Sequence, residues 1–226
     1  MAVSVRYWRH FRGRPAKEGM EKYLRAVAAA VTHLVSRYDA EVTFVSTCQG
    51  MPEYRTDDSK IADGLCENYL TAETRRRVTV DHAFRQVPRL VEYLRGFDFT
   101  ICTRMHLAVL SMVAGVPPFA VAYEFKTREL FHSLGLDWCN EDIESVSAES
   151  MVSNVDTFLN RLDSVRERIR SEMPRLRASS REPAEKIMAM LQKPLAQSVI
   201  ASAPHRPTDQ SCNQTSEYLS RKSPQP

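Results

Sequence analysis

Hydrophobic and polar positions along this chain fall into blocks that switch repeatedly between the strand and the helix period. Ala2 to Trp8 (AVSVRYW) is short and β-rich, and predicts an opening strand. After a polar loop with Gly13 and Pro15, the residues Met20, Leu24, Val27, Val31, Leu34, Val35 and Tyr38 share one stripe at helical spacing, predicting a helix over Lys17 to Tyr38. Glu41 to Thr47 (EVTFVST) reads as a second strand and Gln49 to Thr56 as a loop. Asp57 or Asp58 then caps a helix through about Leu70. Arg77 to Val80 is a third strand, followed by a helix from Phe84 to Arg95 that ends at Gly96. Phe97 to Cys102 is a fourth strand, and Thr103 caps a helix from Arg104 to Ala114, closed by Gly115. Phe119 to Tyr123 is a fifth strand, Lys126 to Leu134 a helix ending at Gly135, and Trp138 with Cys139 a short sixth strand. Ser147 caps a long helix to about Glu172, which Pro174 ends, and Ser180 and Pro183 start a last helix to about Gln192.

Strands alternating with helices across short loops predict a parallel sheet covered on both faces. The interior strands read as continuous apolar runs, as burial on two sides requires. The expected fold is therefore α/β, a Rossmann-like doubly wound parallel sheet of five or six strands, with flanking helices and two carboxyl-terminal helices. Residues 1–192 form the expected domain. Beyond it, residues 193–226 hold five of the twelve prolines, with Ser, Gln and Thr and few aliphatics, and are expected to be a disordered tail.

Composition narrows the function classes. With 43% hydrophobic and 26% charged residues, the 226-residue chain has enough apolar material for a packed core, which excludes collagen and wholesale disorder. No apolar run is long enough to span a bilayer, and the arginine-rich start lacks the apolar stretch of a secretory signal. A net charge of +3 is too balanced to imply nucleic acid. The five cysteines are widely spaced and hold no CxxC pair, so neither a disulfide framework nor a zinc site is expected, and a reducing cytoplasm fits best.

Chemistry in such a sheet sits beyond the carboxyl ends of the strands, at the point where strand order reverses. For the order 3-2-1-4-5-6, that point lies between the first and fourth strands. The first strand exits through Arg6, and the fourth through Cys102-Thr103-Arg104-Met105-His106. Arg104 and His106 also open a helix, whose free N–H groups favour an anion. Arginine forks suit carboxylate and phosphate, so the crevice is expected to take a small, multiply charged anion. An arginine there opposes the helix dipole, so either a bound anion or a buried carboxylate of the protein must compensate it. After the fifth strand, Lys126 at a helix start is either a phosphate partner or a solvated lysine near Glu124. Asp57-Asp58 reads as a cap in preference to a metal pair, Arg75-Arg76-Arg77 as a solvated run, and His33 as structural. Tyr7, Trp8 and Phe11 interleave with Arg9 and Arg12, but one such cluster does not make a nucleic-acid surface. The sequence has no GxGxxG, Walker A, HExxH or GxSxG.

The run from Cys102 to Lys126 (CTRMHLAVLSMVAGVPPFAVAYEFK) resembles the carboxyl-terminal signature of the polysaccharide pyruvyl transferases. There a strand ends in a Ser-Arg-Leu-His-like turn, and an apolar helix, an Ala-Gly-Val-Pro turn and a strand closing in Tyr-x-x-Lys follow. Val5-Arg6-Tyr7-Trp8, Asp57-Asp58 and Leu130 to Leu136 fit the same pattern, over roughly residues 3 to 190. Met105 stands where leucine is usual. The resemblance implies the second domain of a two-domain, GT-B-like enzyme. That enzyme transfers pyruvate from phosphoenolpyruvate to a saccharide, or lipid-linked saccharide, as a ketal across two hydroxyls in cell-envelope or exopolysaccharide synthesis. Arg104, Met105 and Arg6 would hold the donor, Lys126 would meet its phosphate and His106 would be the general acid or base. No metal and no cofactor beyond the donor is implied. By this pattern the amino-terminal domain is missing, and its place falls to a separate domain or subunit. The rival readings are half of a sugar-nucleotide glycosyltransferase and a truncated, non-catalytic binding module.

Overall fold

A computed structural model describes residues 1–49 and 57–192. The chain divides into two units, Met1–Glu182 and Pro183–Pro226. Of the second, Pro183–Gln192 is described and is helical. The expected tail at 193–226, and all of the Gln49–Thr56 loop except Gln49, lie outside the described residues.

Six strands form one parallel sheet: β1 (Ala2–Ser4), β2 (Val42–Val45), β3 (Val78–Asp81), β4 (Thr100–Cys102), β5 (Pro118–Ala122) and β6 (Asn140–Asp142). Their order is β3-β2-β1-β4-β5-β6, the doubly wound order expected, with its reversal between β1 and β4. Burial follows position in the sheet. Every residue of β1, β4 and β5 is buried, while the edge strands β3 and β6 are half-exposed. Ser4 lies opposite Cys102, so the chain leaves β1 and β4 side by side.

The helices are α1 (Ala16–Tyr38), α2 (Asp58–Tyr69), α3 (Ala72–Arg75), α4 (Val87–Leu94), α5 (Met105–Ala114), α6 (Phe125–Ser133), α7 (Ala148–Asn160) and α8 (Leu162–Gln192). The stripe Met20, Val27, Val31 and Leu34 of α1 is buried as expected. Asp39 ends this helix in the left-handed region, φ 50. Helix α1 packs on α7, where Asp156 Oδ1 lies 2.7 Å from His33 Nε2 and accepts from Tyr38 Oη at 2.9 Å, so His33 is structural. Gly115 and Gly135 take positive φ after their helices, the conformation a glycine holds without strain.

Three expectations are corrected, and one short helix is added. The sixth strand is Asn140–Asp142, and Asp137–Cys139 is a single 3-10 turn in front of it. Thr103 does not cap α5. Its hydroxyl is taken by Tyr23 Oη at 2.7 Å, and Arg104 is the N-cap. The short α3, capped by Thr71, has too few residues to show a helical period. Finally, the break between the carboxyl-terminal helices falls at Arg161, and α8 continues through Pro174. Met173 and Leu176 flank that proline and pack against the core, so tertiary burial outweighs the proline's local cost of about 3 kcal/mol.

Gly19 shows how closely the loop after β1 is laid on α1. A Cβ there would stand 2.3 Å from Phe11 Cγ. Gly19→Ala is therefore expected to destabilise. Overpacking costs roughly 1–3 kcal/mol, against about 1 kcal/mol gained in helix propensity. A raised urea midpoint would contradict that close fit.

Candidate functional site

The rim of the sheet between β1 and β4 is organised by hydrogen bonds that join residues far apart in sequence. Ser4 Oγ accepts the Thr103 N–H at 3.1 Å and the Arg104 N–H at 3.4 Å, pinning the turn after β4 to the end of β1. Tyr23 supports the same turn from below through Thr103, and burial pushes its phenol upward. No side-chain cap hydrogen bond closes the start of α5. Its positive dipole end is thus presented to the rim.

Arg104 is the N-cap of α5 rather than a first-turn residue, and its backbone is extended (φ −84, ψ 120). Its compensating charge is Asp58. Arg104 Nε donates to Asp58 Oδ2 at 2.6 Å and Nη2 to Oδ1 at 2.7 Å, a two-pronged contact. Asp57 and Asp58 divide their roles. Asp57 caps α2 by accepting the Ser59 N–H at 3.0 Å, which leaves Asp58 to turn inward. The Asp58 side chain is 2% exposed and that of Arg104 16%. Burial raises the Asp58 carboxyl above its ordinary value, over the opposing pull of the Arg104 hydrogen bonds. Burial works against the Arg104 charge, but the Asp58 hydrogen bond and charge carry its value upward. Asp58 occupies the Nε side of the fork, and among the described residues no hydrogen bond is made by Nη1.

Arg6 joins this pair. Burial lowers its guanidinium from the ordinary value, and the charge of Arg104 lowers it further, so the two arginines lie within electrostatic range. The Arg6 guanidinium stacks 4.0 Å from the centroid of Tyr123 and 5.3 Å from that of Trp8. Arg6 and Arg104 thus follow paired strands at the strand reversal, near enough for their charges to interact.

The other candidates stand around this centre. Met105, half-buried, is the first residue of α5. His106, exposed in the same turn, lines a cavity of about 480 Å³ whose walls include Phe84, Val87, Leu90, Val109 and Leu110. A second cavity, of about 360 Å³, lies on the β5–β6 side of the rim and is lined by Trp8, Tyr123 and Phe125 among others. Lys126 is exposed in the first turn of α6, next to Phe125 in sequence but not among the residues lining that cavity. The arginine run divides: Arg75 ends α3, and Arg77 pairs with Asp39 at 2.8 Å and Glu41 at 2.5 Å.

Sequence reasoning missed Ser4 and Tyr23, and assigned Asp58 to capping or metal binding. Only its position after β2 hinted at a role on this rim. Among the described residues, no group of three His, Cys, Asp or Glu is arranged to hold a metal ion, and no helix is long and apolar enough to cross a membrane.

Comparison with known proteins gives the same direction. The chain is 29% identical over 149 residues to the amylovoran biosynthesis protein AmsJ of Erwinia amylovora, which covers 66% of this chain and 35% of AmsJ. It thus spans about a third of that relative's length. The polysaccharide pyruvyl transferase family matches residues 10–124, just over half of the chain. The matched stretch includes Asp58, Arg104, Met105 and His106, while Arg6 and Lys126 flank it. On that match, carried by a parallel sheet with the expected strand order, the chain belongs to the polysaccharide pyruvyl transferase family.

Proposed function

We propose that this chain is the donor-binding part of an enzyme that moves pyruvate from phosphoenolpyruvate onto a pair of saccharide hydroxyls. The product is a ketal in a cell-envelope or exopolysaccharide precursor. The carrying observation is the Asp58–Arg104 pair with Arg6 beside it. One buried carboxylate against two guanidinium groups leaves a net positive rim at the open end of α5, where a small dianion is favoured. In this reading Arg104, Arg6 and the Met105 backbone hold the donor, Lys126 meets its phosphate, and no cofactor is needed.

His106 donates a proton to the donor methylene, which becomes the methyl group, and the central carbon becomes electrophilic. One saccharide hydroxyl adds there and loses its proton. The carbon–oxygen bond to phosphate breaks, and the second hydroxyl closes the ketal as its proton leaves with the phosphate. The acceptor is a saccharide or lipid-linked saccharide in the cytoplasm. An amino-terminal domain, in the same protein or a separate subunit, faces this rim.

Thermal unfolding with added ligand tests the donor. Phosphoenolpyruvate at about a hundredfold over its Kd should add about 2.7 kcal/mol. For a chain of this size that is a Tm rise of several degrees, at roughly 2–4 °C per kcal/mol. Uridine diphosphate should leave Tm unchanged. The opposite pattern would assign the rim to a sugar nucleotide, and no response to either would favour a non-catalytic module.

A further inference from the structure

The cavity on the β5–β6 side of the rim has a composition that the donor site does not explain. We infer that it is a pyranose-binding subsite, which seats a ring of the acceptor saccharide against the donor; its role as the acceptor subsite, though not its chemistry, rests on the pyruvyl transfer reading.

The walls are of two kinds. Trp8, Tyr123 and Phe125 supply aromatic surface, and Phe125 is 62% exposed although it opens α6 at the cavity wall. Glu124, Asp142 and Glu144 supply carboxylates, with Arg12 and Arg128 as the cationic side chains. Several of these polar groups are held in place. Arg128 pairs with Asp142, and the Arg12 N–H lies 3.1 Å from Glu144 Oε1. The volume, about 360 Å³, falls in the range of small-ligand sites.

This pairing of surfaces selects a neutral polyol. A pyranose offers C–H groups on its ring faces, which lie well against aromatic rings, and hydroxyls at its edge, which donate to carboxylates. A phosphate-bearing ligand is disfavoured, because three carboxylates outnumber the two arginines on the wall. An apolar ligand would draw these carboxylates out of water without offering them a hydrogen bond.

Position agrees with chemistry. Tyr123 lines the cavity and also carries the Arg6 guanidinium stacked at 4.0 Å, so one ring separates this cavity from Arg6. Trp8 lies 4.7 Å from Tyr123, centroid to centroid, and extends the same wall. His106 lines the other cavity, toward the β2–β3 side, with residues that follow those strands. A donor held by Arg104 and Arg6 would therefore lie between its proton source and its hydroxyl acceptor.

Saturation-transfer NMR on the full chain tests this, using the methyl pyranosides of glucose, galactose and mannose, with a parallel phosphoenolpyruvate melting series. At least one pyranoside should receive saturation from the protein. Phe125→Ala should weaken that binding about fivefold, and Phe125→Tyr should retain it. The phosphoenolpyruvate shift should persist in both variants. No transfer to any pyranoside, with a normal phosphoenolpyruvate shift, overturns the subsite and leaves the donor reading standing. Transfer that Phe125→Ala does not reduce also overturns it. Transfer lost in Phe125→Ala, without any phosphoenolpyruvate response, upholds the cavity's chemistry and sinks the donor reading instead.

Discussion

Replacing Arg104 with alanine is expected to destabilise the protein by about 3–5 kcal/mol at neutral pH, because it leaves Asp58 buried without its counter-ion. The pH dependence has a definite sign. Burial already holds the Asp58 carboxyl above its ordinary value with Arg104 in place. Without the arginine it must rise further. A carboxyl whose folded value exceeds its unfolded value favours folding below the unfolded value, and that contribution is lost as pH rises through the folded value. The deficit of Arg104→Ala should thus be largest near neutrality and shrink toward acid, where Asp58 becomes neutral. Urea unfolding across that range measures it. A deficit under about 1 kcal/mol at neutral pH would contradict the pairing, as would one that grows on acidification.

The double variant Asp58→Ala with Arg104→Ala separates folding from binding. It should recover most of the lost stability, since neither partner is then left charged and buried, yet it should show no phosphoenolpyruvate shift. For Asp58 burial outweighs the arginine's pull, whereas for Arg104 the hydrogen bond and charge of Asp58 outweigh burial. What the pair supplies to the rim is orientation. With Asp58 on the Nε side, the Arg104 guanidinium has one fixed plane, with its Nη1 edge turned away from the carboxylate.

His106→Ala is expected to lower turnover about 10²–10⁴-fold with almost no effect on stability. The imidazole is exposed in the first turn of α5, so its removal opens no core cavity and should move stability by only about 0.5 kcal/mol. The assay is phosphate release from phosphoenolpyruvate with a saccharide acceptor, the amino-terminal counterpart supplied. The phosphoenolpyruvate melting shift should survive, since the arginines remain. Turnover within tenfold of the unaltered protein would remove His106 from the proton-transfer role. A large loss of folding would make it structural. These two variants therefore part: one fails through stability and binding, the other through chemistry alone.

The residues that made the fold legible carry their information locally. The apolar stripe of α1, the apolar runs of β4 and β5, and glycines at Gly115 and Gly135 each announce a period or a stop within a few positions. Errors came where local preference met distant packing. Thr103 has the chemistry of a cap, but its hydroxyl is claimed by Tyr23, eighty positions away. Pro174 has the chemistry of a stop, but Met173 and Leu176 are half-buried against the core and hold the helix through it.

The candidate site divides along the same line. Sequence alone determined that Arg6 and Arg104 leave strands of a parallel, doubly wound sheet, but their adjacency held only for the order 3-2-1-4-5-6, one of several that right-handed crossovers permit, and the tertiary structure supplied that order. Sequence also determined that Arg104 needs a negative partner, since a cation at a helix start is opposed by the dipole. Only the tertiary structure decided that the partner is Asp58, that Ser4 fixes the turn, and that Tyr123 joins Arg6 to an aromatic cavity. The contacts from Arg104 to Asp58 and Ser4, and from Arg6 to Tyr123, span dozens of positions of intervening chain. Periodicity and spacing report which face of an element is buried; what that face meets is fixed by the packing of elements brought together from elsewhere in the sequence.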